Sequence, residues 1–348
     1  LRRVGHIRVF AALAAVASAA ILVQGRFVSP VPWCAMRLVS GLCFAGIYVV
    51  AESWLNDRAS CADRGRLLAV YMLILYLGLG AAQFLLLLSD PRTPAPFMLI
   101  SILISLAMVP IVVSAHNTPE PAEPRKVRYR ELYQNTPLGV VAVSASGLIS
   151  AIIFSMGPVY ARLCGFGTRD VALFMALSIS AAVLTQYPVG RLSDRVDRRT
   201  VIAGVCALAT VAAGALVAFG AMPRAAFLAL AALFSGSALT LYSLAVSHVN
   251  DKLEAAQMVA ASSALLRLNG AAAAIGPVLV GGLMAAFGTS AYFATLALLT
   301  GALTVYDLWR KSRRRPVPRS RKGPFISAQP QGMSGQIVGY AASRGSDE

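Results

Sequence analysis

The sequence predicts an all-α polytopic membrane protein of about ten spans, four in a first bundle and six in a second. Three observations predict it. The 348-residue chain is 57% hydrophobic and only 13% charged, whereas soluble domains carry about 25% charge. Its basic residues gather in alternate loops. One ten-residue word also occurs twice, 194 residues apart.

The spans follow from apolar runs at approximately 8–24, 31–54, 67–88, 97–115, 138–160, 170–189, 200–219, 225–248, 256–284 and 289–308. Runs of roughly 18 or more apolar residues read as membrane-crossing helices. None alternates apolar and polar residues as the strands of a membrane barrel do. Placing the first residue in the cytoplasm puts 24 of the 31 Lys and Arg residues on the cytoplasmic side and 5 outside, leaving Arg37 and Arg267 within spans. Such a bias is the positive-inside rule, and it predicts both termini to be cytoplasmic in a bacterial inner membrane. The net charge of +16 therefore encodes topology rather than a nucleic-acid surface. The tail 310–322, "RKSRRRPVPRSRK", reads as a solvated or membrane-facing basic segment. Residues 116–137, rich in Pro and charge, form the longest internal loop and the expected linker. The expected units are thus 1–115, the linker 116–137, a six-helix bundle at 138–308 and a tail at 309–348. The five cysteines have no metal-ligand spacing.

The repeated word is Y-x-x-A-x-S-x-x-N-D, beginning at Tyr48 and at Tyr242. Gly78 matches Gly270, and Arg3-Val4-Gly5 matches Arg195-Val196-Asp197, both at an offset of 192. Near-constant spacing implies two parallel repeats about an axis along the membrane normal. The second half has two spans before its Arg195 loop and the first half has none. The expectation is a six-plus-six design whose first two helices are absent from this sequence.

The loop "GRLSDRVDRR" (190–199) resembles the G-x-x-x-D-R-x-G-R-R signature of the major facilitator superfamily, with Asp197 where that pattern has Gly. "RLVSGLCFAG" (37–46) resembles its fourth-helix motif, an Arg followed by spaced glycines. "AESWLND", "QYPVGRLSD" and "LFSGSALTLYSLAVSHVND" look most like the YcaD-like branch of bacterial transporters. The resemblance implies the two-bundle fold and alternating access, and names no substrate.

Charged groups inside a bilayer are costly and mark function or a cavity. Arg37 is the first. Gly41, Tyr48 and Glu52 lie within about 60° of it around a helix. The resemblance implies that Arg37 couples substrate movement to protons; the plainer reading is a snorkelling arginine. Glu52 lies near the inner helix end, where a gate partner for Arg2 or Arg3 is as good a reading as a proton carrier. Tyr76 and Gln83 share a face, seven residues being nearly two turns. Gln186 precedes Pro188, and Ser237, Thr240 and Ser243 decorate a later span. Arg267 lies about 14 Å from the inner end of its span, so a cavity-facing role is expected, with Asn269 on another face. Two cavity arginines would favour an anionic substrate. The small residues Gly41, Gly46, Gly270, Gly276 and Pro277 are expected to permit close helix packing.

The resemblance assigns a gating role to the loop at Gly190, Asp194, Arg195, Arg198 and Arg199, and to Arg3 in the first half. Its Asp interacts with the positive end of a helix in the other bundle, an attraction worth about 0.3–1 kcal/mol at an exposed site. The Asn-Asp pairs that end the repeated word are expected to terminate their helices. No phosphate loop appears, and His6, His116 and His248 are scattered, so no enzyme, metal or cofactor is expected. The partners expected are a small molecule, protons and the lipid bilayer, with a monomeric chain. The expected function is secondary active transport. The alternative is a non-transporting membrane protein, a sensor or an inactive remnant.

Overall fold

The computed structural model describes residues 6–58, 64–90, 92–113, 129–218, 222–253, 255–313 and 325. Arg2, Arg3, the stretch 114–128 of the linker and all of the tail beyond Arg313 except Phe325 lie outside the described residues. Every regular element among the described residues is helical.

The first four helices are α1 (His6–Arg26), α2 (Pro30–Arg58), α3 (Arg64–Leu85) and α4 (Ala95–Val113). A short α5 (Tyr129–Asn135) precedes α6 (Pro137–Ala151), which runs through a π turn at Ile152–Met156 into α7 (Gly157–Leu163). Then come α8 (Thr168–Arg195), α9 (Arg198–Ala218), α10 (Arg224–Leu239), α11 (Leu241–Asn250), α12 (Ala255–Phe287) and α13 (Ala291–Arg313). Eight helical segments are long and apolar enough to cross a membrane. The other two expected spans appear as shorter apolar helices, Leu73–Leu85 and Ala95–Ile111.

Two spans are broken in ways the apolar pattern does not encode. The π turn inserts an extra residue's worth of rotation just before Gly157-Pro158, as such turns do within otherwise regular helices. The span from Arg224 to Asn250 is interrupted at Thr240, whose hydroxyl donates back to the Ser237 carbonyl (2.8 Å). The expected linker is not loop throughout. Tyr129, Leu132 and Tyr133 recur at helical spacing, and α5 forms there with Leu132 only 2% exposed.

In the first bundle α1 packs on α2 and α4. Ser18 on α1 meets Ser101 (2.6 Å) and Ser105 (3.1 Å) on α4 through their hydroxyls. Hydroxyl pairs of this kind join helices where lipid offers no alternative partner. In the second bundle α6 packs on α12, α8 on α10, and α9 on α13. Asn269 of α12 donates Nδ2 to the Val143 carbonyl (3.0 Å) and to Ser146 Oγ (3.1 Å) on α6. A methyl group on Gly147 would lie 2.3 Å from the Asn269 carbonyl oxygen, so α6 and α12 touch backbone to backbone there. The two bundles meet where α3 packs on α8.

The second bundle has two unlike ends. At the end remote from the Arg195 loop, Tyr160 lies between Tyr292 (centroids 4.7 Å) and Phe227 (6.2 Å), with the edge of Phe293 at 5.1 Å. There α7 closes with a Schellman turn: Gly165 takes φ +84°, its N–H donates to Arg162 O, and Phe166 N–H donates to Ala161 O. The other end holds the arginine-rich loop.

Four glycines are expected to bring helices together, and the structure divides them. A methyl on Gly46 would lie 2.6 Å from Leu13 Cδ1, and one on Gly276 would lie 2.8 Å from the Leu148 carbonyl oxygen, with Ile152 next to it. Pro277 lies beside that contact and is half-buried. Gly41 and Gly270 instead face open space among the described residues. The reason is angular. Gly41 and Gly46 are about 140° apart around a helix, and Gly270 and Gly276 about 120° apart, so neither pair can serve one neighbour.

Candidate functional site

The arginine-rich end of the second bundle is built by the junction between α8 and α9. Pro188 sits inside α8, which continues unbroken to Arg195. Val196 is extended (φ −111°, ψ 164°) and turns the chain. Asp197 then starts α9: its Oδ1 accepts the backbone N–H of Arg199 (3.1 Å), and its Oδ2 accepts from Arg199 Nη2 (2.9 Å). That is the task of a helix N-cap carboxylate. It gives a physical role to the one departure from the glycine of the resembling pattern.

Arg198 is the centre of the arrangement. It is 1% exposed. Its Nη2 lies 3.3 Å from Asp194 Oδ1, and its Nε lies 3.3 Å from Asp251 Oδ2. One guanidinium therefore ties the end of α8, the start of α9 and the end of α11. The two bridges differ in environment: the Asp251 side chain is 3% exposed, the Asp194 side chain 41%. Solvent reaches the Asp194 side of the first bridge and screens it, whereas the Asp251 bridge is enclosed on both sides. Lys311 Nζ donates to Thr200 Oγ1 (2.8 Å), bringing α13 to the same end. Arg195 is exposed. Gly190, one turn before Asp194, is buried.

Asp251 was missed as a charge partner. The Asn-Asp pair ends its helix as expected, α11 closing at Asn250 with Asp251 as its C-cap in right-handed backbone (φ −60°, ψ −19°). The Asp251 carboxylate also pairs with Arg198. The available signal was an acid repeated at the same helix end as an arginine-rich loop. Side chains of the matching pair, Asn56 and Asp57, lie outside the described residues.

The span candidates do not form one cluster. Arg37 is exposed on α2, and Tyr48 is half-buried. Glu52 is helical, with its side chain outside the described residues. Tyr76 and Gln83 on α3 are half-buried, and Gln83 Nε2 donates to its own helix at Leu79 O (3.2 Å). Gln186 is buried and donates Nε2 to Ser243 Oγ (2.6 Å), tying α8 to α11. Arg267 is exposed, donates Nε to Ser263 O (3.1 Å), and holds its guanidinium carbon 5.9 Å from the centre of the Tyr129 ring on α5. Asn269 faces the opposite way into α6. Ser237 Oγ donates to Leu233 O (2.9 Å).

A cavity of about 360 Å³ opens at the end opposite the arginine-rich loop, where α3 meets α8. It is lined by Leu86, Asp90 and Arg92 from the first bundle and by Arg162, Thr168 and Val171 from the second. None of these was a sequence candidate. Loop charges carry no periodic signal, and only the meeting of α3 with α8 joins them. Among the described residues no group of three His, Cys, Asp or Glu side chains is placed to hold a metal ion.

Comparison with known proteins agrees with this architecture. An MFS-type transporter of Enterobacter sp. (strain 638) and the MFS-type transporter YcaD of Escherichia coli O45:K1 (strain S88 / ExPEC), both described as uncharacterized, are each 27% identical over 320 residues. Those alignments cover 91% of this chain and 82% of each relative. The crystal structure of a mutant of the nucleoside transporter NupG superposes with a TM-score of 0.70 at 13% identity, covering 88% of this chain and 83% of that one. A bacterial homolog of the human lysosomal transporter Spinster, in an inward-facing and occupied conformation, superposes at 0.65 with 14% identity, covering 92% and 84%. The sequence profile of the Major Facilitator Superfamily matches residues 1–268 and 171–339. With ten apolar spans among the described residues, arranged in two bundles, and this profile match over most of its length, the chain belongs to the Major Facilitator Superfamily.

Proposed function

We propose that this chain is a secondary active transporter that moves a small anionic molecule across a bacterial inner membrane by alternating access, coupled to protons. The observation that carries the reading is the buried Arg198, shared between Asp194 and Asp251 at the ends of three helices. Alternating access needs contacts at helix ends that hold one state and release in another. A guanidinium with two carboxylate partners can exchange one of them for a group on the other bundle with little net loss. Breaking such contacts shifts the populations of the two states by the difference in their free energies.

The arginine bias places the Arg198 end in the cytoplasm, with both termini on that side. Residues 1–115 form the first bundle, 116–137 the linker and 138–308 the second bundle, and one chain is the working unit. Arg37, exposed on α2, is the coupling residue, with Glu52 on the same face of the helix about four turns further along. Two arginines, Arg37 and Arg267, favour an anion in the transport path. The cavity at the opposite end has net positive lining from Arg92 and Arg162 against Asp90, which would draw anions from outside.

The test is uptake into proteoliposomes of a panel of carboxylates, phosphate esters and neutral metabolites, with and without an imposed pH gradient. The expected result is uptake of an anion that rises with the gradient and is lost in Arg37→Ala. Gradient-independent uptake would remove proton coupling. Uptake confined to neutral solutes would remove the anion assignment.

A further inference from the structure

Gly190 opens the charged loop, and the fold gives it an unexpected neighbour. Phe325, from the chain beyond α13, is half-buried against the core of the second bundle with its ring over Gly190. A methyl group on Gly190 would lie 2.6 Å from the ring's Cδ1, 3.0 Å from Cε1 and 3.2 Å from Cγ. Packed carbon atoms settle at about 3.5–4.0 Å. The ring sits in a seat that only a hydrogen at position 190 leaves open. Eleven residues separate Phe325 from Arg313, the last of α13. Extended chain covers up to about 3.3–3.6 Å per residue, so the tail reaches α8 easily.

The position of this seat gives it meaning. Gly190 is one turn from Asp194, the outer carboxylate of the Arg198 pair. It lies on α8, the helix that also meets α3 of the other bundle. At their far ends α3 and α8 flank the cavity lined by Leu86 and Val171. At the arginine-rich end, the α8 surface at Gly190 is covered by the Phe325 ring. A helix of the first bundle closing over that surface would need the same space.

We propose that Phe325 is an intramolecular wedge. Seated on Gly190, it blocks the two bundles from closing at the arginine-rich end, and it must withdraw for that closure to occur. Docking of the ring stands by itself; the wedge action rests on the alternating-access reading above.

Two measurements on the full chain in lipid nanodiscs test it. A photo-crosslinking benzoylphenylalanine at position 325 is expected to label the α8 segment around Gly190, and to lose that product in Gly190→Ala but not in Leu184→Ala, an exposed position on the same helix. Labelling elsewhere would overturn the docking. Spin labels at Leu87 and Arg169, exposed beside the far cavity, then report the opposite end, with the five native cysteines replaced by alanine. Phe325→Ala and Gly190→Ala are each expected to raise the longer-distance population at least threefold, and Phe325→Leu, which keeps an apolar wedge, to raise it less. Two populations that ignore Phe325→Ala would overturn the wedge while leaving alternating access intact. A single population in every variant would overturn the alternating-access reading, and the wedge with it.

Discussion

Arg198 Nε lies 3.3 Å from Asp251 Oδ2, and neither side chain is more than 3% exposed. This ion pair ties the start of α9 to the end of α11 at the point where the repeated N-D word closes its helix.

Removing either partner takes away an enclosed counter-charge, a loss that costs up to about 3–5 kcal/mol and that the Asp194 contact offsets in part for Arg198. Asp251→Ala and Arg198→Met are each expected to lower the thermal unfolding midpoint sharply in detergent. The double variant should lose less than the sum of the two. A double-mutant cycle that closes with no coupling would show that the pair carries no stability.

The Asp170–Arg224 bridge at the opposite end makes the contrast. Its side chains are 25% and 54% exposed, and exposed pairs contribute about 0.2–1 kcal/mol. Asp170→Asn should shift the midpoint slightly, and the shift should shrink with added salt. A loss as large as that of Asp251→Ala would contradict the ranking by burial.

Gly147→Ala tests the backbone contact between α6 and α12. Its methyl would meet the Asn269 carbonyl at 2.3 Å, and overpacking of this kind costs about 1–3 kcal/mol or more. Gly270→Ala, facing open space on α12, should be neutral or slightly stabilising, since Ala exceeds Gly in helix propensity by about 1 kcal/mol. Thermal unfolding of the two variants side by side gives the comparison.

Ser243→Ala removes the acceptor of the buried Gln186 amide (2.6 Å). Leaving a buried donor short of a partner costs about 1–3 kcal/mol. If Gln186 serves to hold α8 against α11, stability should fall while the apparent affinity for a transported solute stays within about twofold. A large change in affinity at unchanged stability would return Gln186 to the transport path.

The spans were legible because hydropathy acts through every residue of a run, and all ten runs correspond to helices. The ends of those helices were less so. Asp197 stood out as a departure from a pattern, but its capping of α9 needed the φ and ψ of Val196 to bring its carboxylate round. Asp251 was visible as an acid and invisible as a partner, because its mate is more than fifty residues away and no periodicity links them. The angles of Gly41 and Gly270 were available from the sequence, but which helix each would face was not. Arg267 was placed by its depth along the helix. Side chains lean toward the helix N-terminus, and that lean carries its guanidinium to Tyr129 on α5. Nothing in the basic tail marks Phe325 as a residue that returns to α8.

The ring stack of Tyr160, Tyr292, Phe227 and Phe293 has a consequence for how the protein can be addressed from solution. Contacts between aromatic faces and edges carry almost no net charge, so ions pass them by. The Asp194–Arg198 bridge and the Lys311 contact are charged and partly wet. The stack therefore holds α7, α10 and α13 together at a strength that a salt series leaves nearly unchanged, while the exposed Asp170–Arg224 bridge close by weakens.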